Sequence, residues 1–278
     1  MNMYNWIDQQ ISAKVKTPLP VLSFPGIQKM PGTTVIDLVN NGRLQADCMK
    51  IIAERFNTAA SVSLMDLSVE AQAFGSSIRF SEEEVPTVAA PLLSDEDSVD
   101  ALALPKVGAG RTGECVKALS LASQEITERP VLAGTIGPFS LAGRLLDMTE
   151  IMVDALTDPE IVHKTLDKCA AFIADYMLAF KKAGANGAVM AEPAAGLLSP
   201  ALNSEFSVPY VRRIIEAVQD GNFIVVYDNC GNTIPLIDGI LATGAKVLHF
   251  GNAIRMDEML PHIPGNVMAC GNVDPARE

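Results

Sequence analysis

Short apolar runs alternate with longer amphipathic stretches from one end of the chain to the other, and no other feature restricts the fold as strongly. Runs at 19–24 (LPVLSF), 60–65 (ASVSLM), 130–136 (PVLAGTI), 186–191 (NGAVMA), 222–227 (NFIVVY), 246–250 (KVLHF) and 266–270 (NVMAC) have the length and composition of strands. The intervening stretches at 41–56, 111–123, 140–156, 160–183, 203–219 and 255–260 have helical character. Strand and helix in repeated succession make βα units, and right-handed crossovers between such units make a parallel sheet. The pattern predicts an α/β fold, a TIM-type (β/α)8 barrel that lacks its last strand and helix in this chain, because the strand count is one short of eight and the sequence stops at CGNVDPARE. A seven-stranded, imperfectly closed barrel is the alternative. With 278 residues, 49% of them hydrophobic, and no composition break that would mark a linker, residues 1–278 are expected to form a single barrel domain that is C-terminally truncated.

Charge and segment composition exclude several function classes. The formal net charge of −12 repels polyanions, and no Lys/Arg cluster offsets it, so nucleic acid is not an expected partner. No run reaches the roughly 20 apolar residues of a membrane span, and MNMYNWIDQQ lacks the basic-then-apolar pattern of a signal peptide, so a cytoplasmic protein without a membrane partner is expected. The five cysteines, at 48, 115, 169, 230 and 270, are too scattered for a disulfide framework and read as reduced thiols. Cys48 and Cys169 fall on apolar helical stripes and are expected in the core, while Cys115 has no evident partner.

In a parallel barrel, functional groups collect where the strands end, because the βα loops converge on one rim. Asp66 and Glu70 follow the 60–65 strand, Glu192 follows 186–191, and Asp228 and Cys230 follow 222–227. All are expected to face one cavity. Asp66 could instead cap the turn after it, whereas Pro193 and Gly196 argue against a helix cap at Glu192. Side chains alternate along a strand, so Asp228 and Cys230 point one way and Tyr227 and Asn229 the other. A carboxylate and a thiol two residues apart have the donor chemistry of a zinc site. His249, ending the 246–250 strand, is a candidate to join them, while His163 and His262 read as surface residues.

The motifs QADCMKIIAERFNTAA, MDLSVEAQAFG, GTIGPFSLAGRLL, EPAAGLLSPALNSEFSVPY, YDNCGNT and GNVDP, in that order, resemble the uroporphyrinogen decarboxylase superfamily, and within it the branch of zinc-dependent methylcobamide:coenzyme M methyltransferases. The resemblance implies methyl transfer from a methyl-corrinoid, carried by a partner protein, to a small thiol such as coenzyme M. Asp66 and Glu192, at the ends of their strands, are the expected catalytic residues. The resemblance also implies Zn²⁺ held by a His-x-Cys pair and a later Cys. YDNCGNT matches the pair with Asp228 in place of His, so Asp228 and Cys230 become the metal ligands; the later Cys is expected beyond residue 278, with Cys270 as a stand-in. Gly134, Gly137 and Gly196 are expected to leave room for the corrinoid. Uroporphyrinogen decarboxylation is the alternative: Asp66, nine residues before Gly75, matches that branch's substrate-directed Asp. Its arginine-rich N-terminal motif is not matched, since PVLSFPGIQKM carries only Lys29. A corrinoid-binding or regulatory barrel without catalysis is the second alternative.

Overall fold

The computed structural model describes residues 1–19 and 30–274. Its main sheet has six strands, β1 (Ser61–Val62), β4 (Val131–Ile136), β5 (Gly187–Ala191), β6 (Ile224–Asn229), β7 (Val247–Phe250) and β8 (Met268–Cys270), all parallel and in that order. Two short strands, β2 (Ile78–Arg79) and β3 (Thr87–Val88), form a separate antiparallel hairpin. The sheet curls with helices on its outside, an incomplete TIM-type barrel. Among the described residues β1 and β8 each pair along one side only. The strand expected at 19–24 lies, from residue 20 onward, outside the described residues.

The alternation along β6 sorts two cores. Val225 and Tyr227 face the helices and join a cluster with Phe139, Phe172, Tyr176 and Phe180, all buried. Ile224 and Val226 face the concave side and cluster with Val62, Leu132, Val189, Val247 and Met268. Met3, Trp6 and Ile7 of the N-terminal helix Met3–Ser12 join this inner cluster. They cover the amino ends of the strands, where the Met3 N–H donates to the Gly221 carbonyl. That helix is not among the expected ones, although Met3, Trp6, Ile7 and Ile11 fall at helical spacing on one face.

Three expected elements differ. The 60–65 strand contributes only Ser61 and Val62 to the ladder, because the Ser63 hydroxyl, in place of a carbonyl, accepts from the Gly134 N–H at 2.9 Å. The 140–156 helix is two, Pro138–Leu146 and Met148–Thr157, separated at Asp147, whose φ of 99° no helix tolerates and whose carboxylate caps the second helix at the Thr149 N–H. The 203–219 helix is also two, Pro200–Phe206 and Val208–Val218, and Pro209 in the first turn of the second has no N–H to continue the first. The remaining long helices, Gly42–Arg55, Thr112–Glu125 and Pro159–Lys182, follow expectation within two residues.

Candidate active site

Strand register brings together groups that sequence spacing alone leaves apart. Asp228 on β6 is in register with His249 on β7, and His249 with Cys270 on β8. His249 Nδ1 lies 2.6 Å from Asp228 Oδ1, both residues being largely buried. Two residues beyond Asp228, on the same face, Cys230 is exposed. Its Sγ would lie 3.2 Å from a Cβ built on Gly251, so the thiol sits over the loop that leaves β7 two residues after His249. Burial, and then the Asp228 carboxylate, push the Cys230 thiol above its ordinary value. The turn holding Cys230 is fixed by Gly231, at φ 85°, and by Gly196, where a Cβ would come within 1.8 Å of the Cys230 carbonyl oxygen.

Glu192 lies elsewhere. It is fully buried between sheet and helices, and its carboxylate accepts from the N–H groups of Phe139 at 3.0 Å and Ser140 at 2.6 Å. It therefore does act at a helix N-terminus, that of Pro138–Leu146 from the preceding βα unit, and not of the segment that follows it in sequence. Burial outweighs these hydrogen bonds and lifts its carboxyl to about 7. Gly137 and Gly196 do not leave room for a ligand as expected. A Cβ on Gly137 would meet Glu192 Oε2 at 2.4 Å, so the space is taken by the carboxylate, and that at Gly196 by Cys230. Gly134 is likewise filled, by Leu64 and Met65.

Asp66 and Glu70 occupy a second buried cluster. Asp66 Oδ2 is ion-paired to Arg111, and Asp66 Oδ1 accepts from both the N–H and the hydroxyl of Ser68, at 3.0 and 2.6 Å. Arg111 also donates to Ser68 Oγ at 2.8 Å and Gln72 Oε1 at 2.7 Å, and stacks over Phe80. Glu70 Oε1 accepts from Thr135 Oγ1 at 2.7 Å and the Ile136 N–H at 3.2 Å, and burial raises its carboxyl to about 7. The expected single cavity is thus resolved into an Asp228–His249–Cys230 group at the ends of β6 and β7 and two buried carboxylate clusters. Arg111 was missed. Its position in GAGRTGE, far from any strand end, gives no sign that it neutralises Asp66.

Zinc takes sulfur, imidazole and carboxylate donors, and Cys230, His249 and Asp228 are of those types. Among the described residues, however, no three His, Cys, Asp or Glu side chains are grouped closely enough to enclose a metal ion. Among the described residues no helix is long and apolar enough to cross a membrane.

Comparison with known proteins agrees with this architecture. A structure of a methyltransferase from Methanosarcina mazei superposes over 100% of this chain and 85% of its own, with a TM-score of 0.87 at 17% identity, which establishes the shared fold. A uroporphyrinogen decarboxylase of Desulfotalea psychrophila is 27% identical over 259 residues, 90% of this chain and 75% of that protein. The methylcobamide:CoM methyltransferase MtbA of Methanosarcina mazei is 26% identical over 214 residues, 76% of this chain and 62% of that protein. The sequence pattern described as Uroporphyrinogen decarboxylase (URO-D) matches residues 26–277, nearly the whole length, and the chain belongs to that family.

Proposed function

We propose that this chain is a methyltransferase that moves a methyl group from a methyl-corrinoid, carried by a partner protein, to a small thiol such as coenzyme M. The observation that carries this reading is the exposed Cys230 thiol beside the Asp228–His249 pair at the carboxyl ends of β6 and β7. The Cys230 thiolate is the soft donor among them, of the kind zinc takes. Asp66 supports the same choice. Arg111 and Ser68 already occupy three of the roughly four acceptor sites of this carboxylate, which leaves little of it for the pyrrole N–H groups that decarboxylation would present.

Cys230 would hold zinc as a thiolate, and Asp228, directly or through His249, would supply the second donor. Bound zinc would act as a Lewis acid that keeps the substrate sulfur a thiolate at neutral pH. The remaining work belongs to the protein. Gly196 and Gly231 fix the Cys230 turn, and the inner face of β6 and β7 directs all three groups toward the open rim. In the transfer itself, the thiol sulfur forms a bond to the methyl carbon. The corrinoid would supply the methyl group and keep the bonding electron pair, and the thiol proton would leave to solvent.

The test is zinc per chain and thiol methylation in the parent, Cys230→Ala and Asp228→His. Zinc and methylation should be present in the parent, absent in Cys230→Ala and retained in Asp228→His. Absence of zinc from all three, with porphyrinogen turnover by the parent, overturns the reading in favour of the decarboxylase.

A further inference from the structure

We infer that Asn272 is a positioning residue for the Cys230 thiol: from the exit of β8, its side chain holds the loop on which that thiol rests. The inference rests on the reading of Cys230 as the working thiol of the site and deepens it, by naming the side chain that keeps the thiol in place.

The floor under the thiol is Gly251. A Cβ built there would lie 3.2 Å from both the Cα and the Sγ of Cys230, so a side chain at 251 would press the cysteine away. The φ of Gly251 is not in the left-handed region, and its backbone would accept other residues. What the glycine provides is space for Cys230.

Gly251 is held by both of its backbone groups. Its N–H donates to the Asn229 carbonyl at 2.9 Å, a bond from the end of β6 that depends on no side chain. Its carbonyl accepts from Asn272 Nδ2 at 2.9 Å, and the same Nδ2 donates to the Ile254 carbonyl at 2.7 Å. The two bonds use both N–H groups of the amide, and they fix its orientation, because the flipped amide would turn an oxygen against two carbonyls. Asn272 therefore closes the loop 251–254.

The exits of β7 and β8 touch at Gly271, where a Cβ would come within 2.7 Å of the Phe250 carbonyl oxygen. In GNVDP the glycine thus permits the approach and the asparagine makes the bonds. Gly196, Gly231 and Gly251 shape the Cys230 turn by lacking side chains; Asn272 shapes it with one. A shift of about 1 Å in a reacting group can cost roughly 100-fold in rate, so the hold on this loop bears on the chemistry of the thiol.

The experiment compares the parent with Asn272→Ala, Asn272→Asp, Gly251→Ala and the double variant Asn272→Ala/Gly251→Ala. Asn272→Asp keeps the size and removes both N–H donors, which guards against a packing defect in the alanine variant; circular dichroism checks the fold of each. Three quantities are read: amide exchange at residues 251–254, the rate at which iodoacetamide alkylates each cysteine, and kcat and KM for methylation of coenzyme M by methylcobalamin. In both single Asn272 variants exchange protection at 251–254 should fall roughly 10-fold, as for the loss of one to two net hydrogen bonds. Cys230 alkylation should shift by roughly 3-fold or more, while the buried Cys48 and Cys169 stay as slow as in the parent. Methylation should lose roughly 10- to 100-fold in kcat, with KM for the thiol changed less. The double variant should alkylate as Gly251→Ala does, since Asn272 acts through Gly251. Protection lost at 251–254 with Cys230 alkylation and kcat as in the parent would make Asn272 a structural clasp alone and overturn the inference, with the methyltransferase reading intact. Additive effects in the double variant, or faster alkylation of all five cysteines together, would overturn it too. A parent that methylates no thiol, while Cys230 alkylation still follows Asn272, removes the methyltransferase reading and leaves Asn272 as the residue that positions this thiol.

Discussion

Glu192→Gln separates two effects that oppose one another at the same carboxylate. Two helix N–H groups favour the ionised form, while complete burial disfavours it, and burial prevails: the carboxyl is raised from 4.5 to about 7. At roughly 1.4 kcal/mol per pH unit, this difference is worth about 3 kcal/mol. The folded state holds the proton more tightly than the unfolded chain does. Stability from this group is therefore complete below pH 4.5, declines as pH rises, and is fully lost above pH 7. Glutamine cannot ionise and contributes no such slope. Glu70 is raised in the same way and present in both proteins, so it cancels in the comparison. At acid pH the variant should be the less stable, by about 1–3 kcal/mol, because its amide NH₂ must face one of the two N–H groups. Between pH 4.5 and 8 the difference should swing toward glutamine by up to about 3 kcal/mol. Urea unfolding across this range, followed by circular dichroism and by the emission of the single tryptophan, Trp6, measures the swing. A stability difference that is flat with pH, or that moves toward the parent as pH rises, would refute the claim that desolvation outweighs the two hydrogen bonds.

Three further outcomes are expected. Arg111→Met leaves Asp66 charged and buried without a partner and should cost about 3–5 kcal/mol in urea unfolding, most of it recovered when Asp66→Asn is added. Gly196→Ala drives a methyl group into the Cys230 carbonyl and should cost about 1–3 kcal/mol while changing the labelling rate of Cys230; unchanged labelling would separate the two turns. Of the five cysteines Cys230 alone is exposed, whereas Cys48 and Cys169 are buried and Cys115 and Cys270 are pushed up to about 12 by burial. An aromatic disulfide reagent should therefore label one thiol per native chain rapidly, and Cys230→Ala should remove that fast phase.

The strands at 130–136, 186–191, 222–227 and 246–250 were legible because they lie inside the sheet, largely covered on both faces, and read as nearly continuous apolar runs. The facing of Asp228 and Cys230 was legible too, since it follows from strand alternation alone. What depends on register between strands was not. The bond from Asp228 to His249 spans 21 residues and exists because β6 and β7 align those two positions, which no local spacing encodes. Arg111 pairs with an acid 45 residues away from a helix start that carries no motif. Glu192 was hidden differently: Pro193 truthfully excluded a cap on its own helix, but the helix it caps begins 54 residues earlier in the chain, at Pro138. The breaks at Asp147 and Ser207 were missed because apolar periodicity continues across them.

The buried acids have a consequence for how such a barrel can be taken apart. Glu192 ends β5 but caps the helix that follows β4, and Glu70 follows β1 but is bonded to Thr135 and Ile136 of β4. Asp228 of β6 leans on His249 of β7. Each carboxylate belongs to one βα unit and finds its partner in another. The units are therefore not interchangeable modules, although their repetition suggests that they should be. A chimaera that takes β4 and its helix from a relative without β5 would bring a helix start with no matching acid, or an acid with no helix to receive it. Segments exchanged between family members should travel in interlocked groups, β1 with β4 and β5, and β6 with β7, and junctions placed inside either group would fail for electrostatic reasons even where every backbone joint is sound.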